Sequence, residues 1–239
     1  MMSVRIEVVP FVAASLVVGA VLFLILKAIG IEGGIASGIG GALAAVMVAY
    51  MLYFFRDPAR TAPADLQAVV SGADGHIANI MTLTGPEFRT ACLRAGLTEE
   101  QMGTFLNDEV FRISIFLSLF DVHVNRAPIG GQSRFLGYFP GKHYFTFKEK
   151  SSDFNQHNSI LIENGRTRCL FNQIVGPVCR RVVYWPDHGR AVAVQKGDPI
   201  GMMKFGSRLD LYFPKKDIEL AVKLGDRVRA GETVIARLR

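Results

Sequence analysis

Cysteine is scarce in this 239-residue chain. The three present, Cys92, Cys169 and Cys179, form no Cys-x-x-Cys pair and are odd in number. That argues against a disulfide framework or a structural zinc site, leaves no metal expected, and favours a reducing compartment with each thiol as a small buried hydrophobe. Charge is also sparse: 20% of residues are Asp, Glu, Lys or Arg, against about 25% in typical soluble domains. The formal net charge is +6, yet no run of five or more Lys/Arg occurs and no zinc-finger or RNA-binding motif is visible. Nucleic acid is therefore not an expected partner. Dispersed basic residues suit an anionic lipid surface better.

What the chain has in excess is apolar sequence, concentrated in its first 55 residues. Val8 to Leu26 gives 19 uncharged residues, and Ile35 to Phe55 gives 21 more. At 1.5 Å per residue each makes a helix of roughly 30 Å, the thickness of a hydrocarbon core. The second stretch is rich in small residues (Ser37, Gly38, Gly40, Gly41, Ala42, Ala44, Ala45), which let membrane helices approach closely. Tyr50, Tyr53, Phe54 and Phe55 stand where an aromatic belt would lie. A signal peptide fits less well, because no small-residue cleavage site follows the first stretch and a second span comes at once. A buried pair of core helices, or a hairpin dipping into one leaflet, passes the same length test. The expectation is a membrane-associated helical hairpin over residues 1–56. Arg5 before it and Arg56 and Arg60 after it bias both ends, and residues 57–239, toward the cytoplasmic side.

Beyond a Pro-containing linker from Arg56 to Asp65, short apolar runs are bounded by Gly, Pro, Asn and Asp. Ser159–Glu163, Val182–Trp185 and Ala191–Val194 are examples of this strand signal. A helical interlude is expected between Pro86 and Leu106, where Thr98 precedes Glu99-Glu100-Gln101. The fold class expected is mainly β (α+β). Val194-Gln-Lys-Gly-Asp-Pro-Ile200 and Val222-Lys-Leu-Gly-Asp-Arg-Val228 form a short repeat 28 residues apart, each with a Gly-Asp turn between apolar residues. The stretch Gly225 to Ile235 resembles the half-repeat of biotinyl and lipoyl domains, which implies a C-terminal β-hammerhead.

The stretch that points to chemistry is Lys204-Phe-Gly-Ser-Arg-Leu-Asp-Leu-Tyr-Phe-Pro214. Alone, a Gly-Ser pair is an ordinary turn. This one sits between two strand-like runs and resembles the processing site of the phosphatidylserine decarboxylases, in their short Phe-Gly-Ser-Arg branch. Ser71-Gly-Ala-Asp-Gly75 resembles that family's Asp-Gly motif, and Phe116 to Pro128, with Asp121 and His123, its histidine motif. Phe54 to Arg60, Asn155-Gln-His-Asn-Ser159 and Gly176–Arg181 follow the same order, so the likeness covers nearly the whole chain.

The resemblance implies a self-cleaving, membrane-bound lyase. Ser207 Oγ would attack the Gly206 carbonyl, giving an ester. Loss of the Ser207 α-proton would then expel the Gly206 carboxylate and leave a covalent pyruvoyl group from Ser207. The products would be a β chain, residues 1–206, and an α chain, residues 207–239, held together as a heterodimer. The pyruvoyl ketone would form a Schiff base with phosphatidylserine and accept the electrons left by CO₂, with no pyridoxal phosphate. His123 would assist decarboxylation as acid/base, Asp74 would help self-cleavage, and Asp121 would orient His123 or end a strand. Longer bacterial members carry a second histidine three positions after the first; here that position is Arg126, which leaves the base for Ser207 open, with His76 and His157 as substitutes. His143 and His188 carry no motif and read as structural. Arg208, Arg180, Arg181 and Lys204 could meet a lipid phosphate or carboxylate, or form a solvated basic face.

Three other readings compete. Met202-Met-Lys-Phe205 looks like a biotin attachment site, which would make the chain a membrane-bound carrier modified at Lys204. Archaetidylserine, or a soluble amino acid, would use the same pyruvoyl chemistry. A non-catalytic membrane anchor would leave Ser207 inert.

Overall fold

A computed structural model describes residues 2–94, 97–103, 108–177 and 182–239. The chain divides into two compact units, Met1–Ala59 and Arg60–Arg239. In the first, strand β1 (Met2–Val4), helices α1 (Val9–Ala28) and α2 (Gly33–Phe54), and strand β2 (Arg56–Pro58) follow in order. Both helices are long and apolar enough to cross a membrane. They meet along small residues: Ser15 and Gly19 of α1 and Ala36, Gly40 and Ala44 of α2 are buried, at the four-residue spacing that lines up one helix face. A Cβ on Gly19 would stand 2.6 Å from the Gly40 carbonyl oxygen, and one on Gly40 2.6 Å from that of Gly19. The backbones therefore touch at this crossing and only glycine fits. Glu32 caps α2 by accepting from the Gly34 and Ile35 amides at 2.9 and 3.1 Å.

The segment read as a linker begins as a strand. β1 pairs antiparallel with β2, Ser3 opposite Asp57, and Arg5 lies 3.5 Å from the Asp57 carboxylate. This ties the two feet of the hairpin together. Of the expected aromatic belt, Tyr53 is exposed while Phe54 and Phe55 are buried, Phe55 against Phe11 with ring centroids 5.0 Å apart. Adjacent rings on a helix point to different sides, so the belt and the packed face divide them.

The second unit is mainly β. In chain order it comprises β3 (Ala68–Val70), β4 (Gly75–Leu83), α3 (Gly85–Arg94), α4 (Glu99–Met102), β5 (Val110–Leu117), β6 (Val124–Arg126), β7 (Gly131–Phe139) and α5 (Ser151–Phe154). There follow β8 (His157–Glu163), β9 (Arg168–Val175), β10 (Val182–Tyr184), β11 (Val192–Val194), β12 (Pro199–Met203), β13 (Ser207–Pro214), β14 (Ile218–Leu220), β15 (Arg227–Val228) and β16 (Val234–Leu238). Eight strands form one antiparallel sheet in the order β11-β7-β8-β9-β13-β5-β4-β15. Two three-stranded sheets, β10-β12-β6 and β14-β16-β3, accompany it. The expected strands at 159–163, 182–185 and 191–194 coincide with β8, β10 and β11. The helical interlude is α3 and α4, with Thr98 immediately before α4.

Every residue of the central strand β13 is buried. Leu209, Leu211 and Phe213 alternate into the main core with Ile113, Ile115 and Phe171. Tyr212, on the other face, packs under α3 with Phe88, Leu161 and Leu170. Cys169 and Cys92 are buried in these two cores, and burial pushes both thiols up; Cys179 lies outside the described residues.

The repeat is a structural one. Gly197 and Gly225 hold φ of 89° and 87°, a conformation glycine adopts without steric cost. Gly197 donates its amide to the Ala127 carbonyl while Asp198 accepts from the Ala127 amide. Gly225 and Asp226 exchange the same two bonds with Ile77. In each turn the aspartate carboxylate accepts from the backbone amide three residues before it, at 2.7 Å from Gln195 and 2.9 Å from Lys223.

Candidate active site

Strand register gathers the candidate residues at one end of the eight-stranded sheet. β13 begins at Ser207, opposite Leu117 and Val175, the last residues of β5 and β9. β4, on the far side of β5, begins at the same level, with His76 opposite Phe116, and β8, on the far side of β9, begins with His157 opposite Ile174. Antiparallel pairing thus places the loops carrying Asp74, Asp121, Asn155 and Gly206 at the same end.

The Gly206–Ser207 bond joins a strained turn to a fully ordered strand. Gly206 has φ of 72°, and Phe205 before it has φ of 53°, the one described non-glycine residue with positive φ. A bulky side chain there costs on the order of 1–3 kcal/mol and persists only where surroundings impose it. Among the described residues other than its chain neighbours, no atom lies within 4 Å of where a Gly206 Cβ would stand. Glycine is thus required by backbone conformation rather than by crowding. Ser207 is fully buried, and its hydroxyl has no hydrogen-bond partner among the described residues.

His123 is fully buried just before β6. Its Nδ1 lies 2.9 Å from the Asp121 carbonyl oxygen. A carbonyl only accepts, so Nδ1 carries a proton, and in the neutral form of the ring the lone pair is then on Nε2, where it can take a proton. Asp121 therefore orients His123 through its backbone. Its carboxylate instead accepts from the Ser118 amide and hydroxyl at 2.8 and 2.6 Å and pairs with Arg227 at 3.1 Å. The His123 carbonyl accepts from the Met203 amide, which ties the histidine to the strand that leads into Phe205-Gly206-Ser207.

Asp74 is buried between two partners. One oxygen accepts from the Ala230 amide at 2.8 Å and the other pairs with Arg60 at 2.9 Å. Arg60 also pairs with Glu232 at 2.9 Å. Asp74, Asp121 and Arg227 line one polar cavity of about 480 Å³, whose walls do not include Ser207 or His123. The sheet end thus holds two clusters: two carboxylates around arginines, and the serine with the imidazole.

Arg208 does not face an open surface. It is buried, donating to Asp210 at 2.9 Å, Ser114 at 2.8 Å and Glu149 at 2.9 Å, so it is committed to internal partners rather than to a headgroup. Arg112 pairs with the same Glu149. Burial pushes the Asp210 carboxyl up, but the Arg208 and Arg112 guanidiniums outweigh it and hold the group below the usual carboxylate range. Arg126, at the position of the missing histidine, is buried and donates to the Gly197 carbonyl at 3.0 Å; it braces a repeat turn. His76 packs tilted against Phe116, and buried His157 stacks on Phe139 with Nδ1 2.8 Å from the Asn155 carbonyl. His188 stacks on Phe135, and His143 is exposed. Lys204 is buried. Arg180 and Arg181 lie outside the described residues.

Asn155, in sequence only one member of the Asn155–Ser159 motif, organises this end through its side chain. It accepts from the Tyr144 amide at 2.8 Å and donates to the Tyr144 and Val175 carbonyls at 2.6 and 2.9 Å. Val175 is the strand partner of Ser207. No pattern in the sequence links residues 144, 155 and 175; only the sheet register does.

Fold and site define a class: a protein with an apolar helical hairpin and an antiparallel β domain that presents a Gly-Ser bond, an oriented imidazole and two buried carboxylates at one sheet end. A sequence model of the phosphatidylserine decarboxylase family matches residues 47–236. Similar proteins named phosphatidylserine decarboxylase proenzyme come from Carboxydothermus hydrogenoformans, 37% identical over 83% of this chain and 84% of the relative, and Desulfotalea psychrophila, 38% identical over 80% of each. A third, from Prosthecochloris aestuarii, is 38% identical over 82% of this chain and 81% of its own. The chain belongs to the phosphatidylserine decarboxylase family.

Proposed function

We propose that this chain is a phosphatidylserine decarboxylase proenzyme that cuts its own Gly206–Ser207 bond and then converts phosphatidylserine to phosphatidylethanolamine. The observation that carries the reading is the setting of that bond, between two consecutive left-handed residues and the buried start of the central strand. Ser207 Oγ attacks the Gly206 carbonyl carbon as its proton passes to a base, and the peptide becomes an ester. Removal of the Ser207 α-proton then breaks the Cβ–O bond, releasing Gly206 as a carboxylate. Hydrolysis of the resulting dehydroalanine loses ammonia and leaves residue 207 as a pyruvoyl group. Strain at Phe205 and Gly206 is relieved by the cut, which favours it. Residues 1–206 and 207–239 stay together as a heterodimer because β13 begins at the cut and remains paired with β5 and β9.

The fit of a covalent pyruvoyl at position 207 rests on the buried, unpartnered hydroxyl and the open space beside Gly206. That group supplies an electrophilic ketone that captures the substrate amine and takes up the electrons released with CO₂. His123, held by the Asp121 carbonyl, moves the proton during decarboxylation. Asp74 positions the repeat by gripping Arg60 and Ala230. The two Gly-Asp turns with matching hydrogen bonds support a hammerhead of the biotinyl/lipoyl kind. The hairpin anchors the chain in the cell membrane, and the bias of Arg5, Arg56 and Arg60 supports a cytoplasmic catalytic domain. A carrier modified at Lys204 is disfavoured because that lysine is buried. The test is Ser207→Ala in the full chain, assayed for CO₂ release from phosphatidylserine vesicles. The variant should release none; release at the parent rate would overturn the proposal.

A further inference from the structure

We infer that residues 138–154 form an interfacial lip that docks the Ser207 end of the β domain onto an anionic bilayer surface; this rests on the lipid-substrate reading above. Four aromatic side chains in this short segment are exposed: Tyr138, Phe145 (54%), Phe147 (62%) and Phe154. The Phe145 and Phe147 rings stack on each other with centroids 5.4 Å apart, and between them Thr146 is buried. The alternation turns two large rings outward from an anchored backbone.

Charge is sorted in the same way. Lys142, Lys148 and Lys150 are exposed. The two acidic residues of the segment turn inward: Glu149 directs its carboxylate at the buried guanidiniums of Arg208 and Arg112, and Asp153 lies 4.0 Å from Arg112. The outer face is therefore aromatic and cationic, the composition that settles at the headgroup level of an anionic membrane.

The lip is also built onto the cleavage site. A Cβ on Gly176 would stand 3.2 Å from the Gly206 carbonyl oxygen and 3.3 Å from Thr146 Cγ2. Thr146, Gly176 and the scissile carbonyl are thus neighbours. Asn155 clamps Tyr144 to Val175, the partner of Ser207. Leu119 and Phe120, also exposed, belong to the turn that leaves β5 at Leu117, at the same sheet end. A lipid held at this lip would have its headgroup beside residue 207 while its chains stay in the bilayer.

Two experiments on the full chain test this. Trp185, the only tryptophan, is replaced by Phe, and Phe147→Trp is introduced; Leu66→Trp, also highly exposed, is the control in the same background. Each protein is reconstituted into phosphatidylethanolamine/phosphatidylglycerol vesicles containing lipids brominated on the acyl chains. The lip predicts strong quenching at position 147 and little at 66. Equal quenching at both positions, or none at 147, overturns it. Second, Phe145→Ser/Phe147→Ser should cleave normally on a gel and keep turnover of dihexanoyl phosphatidylserine below its micellar concentration. It should lose about tenfold on bilayer substrate, the loss expected when exposed apolar anchors are removed. Equal losses on both substrates overturn the lip. Absent cleavage and turnover in the parent would refute the enzymatic reading instead, and the quenching result would still judge the surface.

Discussion

Asp210→Asn removes the one fully buried carboxylate beside Arg208 on the central strand. The amide keeps the shape and loses the charge. Arg208 and Arg112 are then left in the sheet with two partly exposed carboxylates as counter-charges, Glu149 (48% exposed) on both and Asp153 (34% exposed) 4.0 Å from Arg112. Breaking a buried ion pair by removing one partner costs about 3–5 kcal/mol, a large share of the roughly 5–15 kcal/mol that holds a domain together. For a domain of this size that is a fall in melting temperature on the order of 10 °C. The pH dependence has a definite sign. The folded carboxyl lies below its ordinary value of 3.8, so its contribution is complete above that value and is lost as pH falls through the folded pKa. Thermal melts of detergent-solubilised parent and variant, both carrying Ser207→Ala so that cleavage does not intervene, measure the gap. It should be wide at pH 7 and narrow steadily below pH about 3.8. A gap under about 1 kcal/mol at pH 7, or one that widens in acid, would refute the argument.

Other outcomes follow from the same geometry. His123→Ala should cut decarboxylation by about 100-fold or more, whereas Asp121→Asn, which keeps the carbonyl that holds Nδ1, should cost less than about tenfold; equal losses in steady-state assays would mean the carboxylate, not the carbonyl, does the orienting. Gly75→Ala should abolish folding and therefore cleavage, since the new Cβ would stand 2.0 Å from the Phe116 carbonyl oxygen in a backbone of φ 142°. Normal expression and processing of that variant, read on a denaturing gel, would show that β4 does not pair with β5 as described.

Much of this architecture was legible from residue patterns. Two long uncharged stretches read directly as the hairpin helices, because nothing else in the chain is apolar over that length. The Gly-Asp repeat announced two like turns, and glycine at φ near 90° is the reason it recurs. The Gly206–Ser207 junction and His123 stand out in the sequence through ordered motifs. What stayed hidden depends on long-range register. Arg60 reads as part of a Pro-rich linker, yet it bridges Asp74 and Glu232, 14 and 172 residues away. Arg208 and Asp210 look like an ordinary alternating strand, and only pairing with Ser114 reveals a buried ionic cluster. The sequence leaves Asp121 either to orient His123 or to end a strand; that its peptide carbonyl, not its carboxylate, meets the His123 ring is a matter of backbone direction.

The claim on which the account stands is that the chain cuts itself between Gly206 and Ser207. Mass spectrometry of the purified full-length protein, run beside a denaturing gel, tests it most directly. The account predicts two chains, with a C-terminal piece comprising residues 207–239 whose first residue is a pyruvoyl group and resists Edman degradation. A single intact 239-residue chain in an actively decarboxylating preparation, or a cut elsewhere, would contradict it.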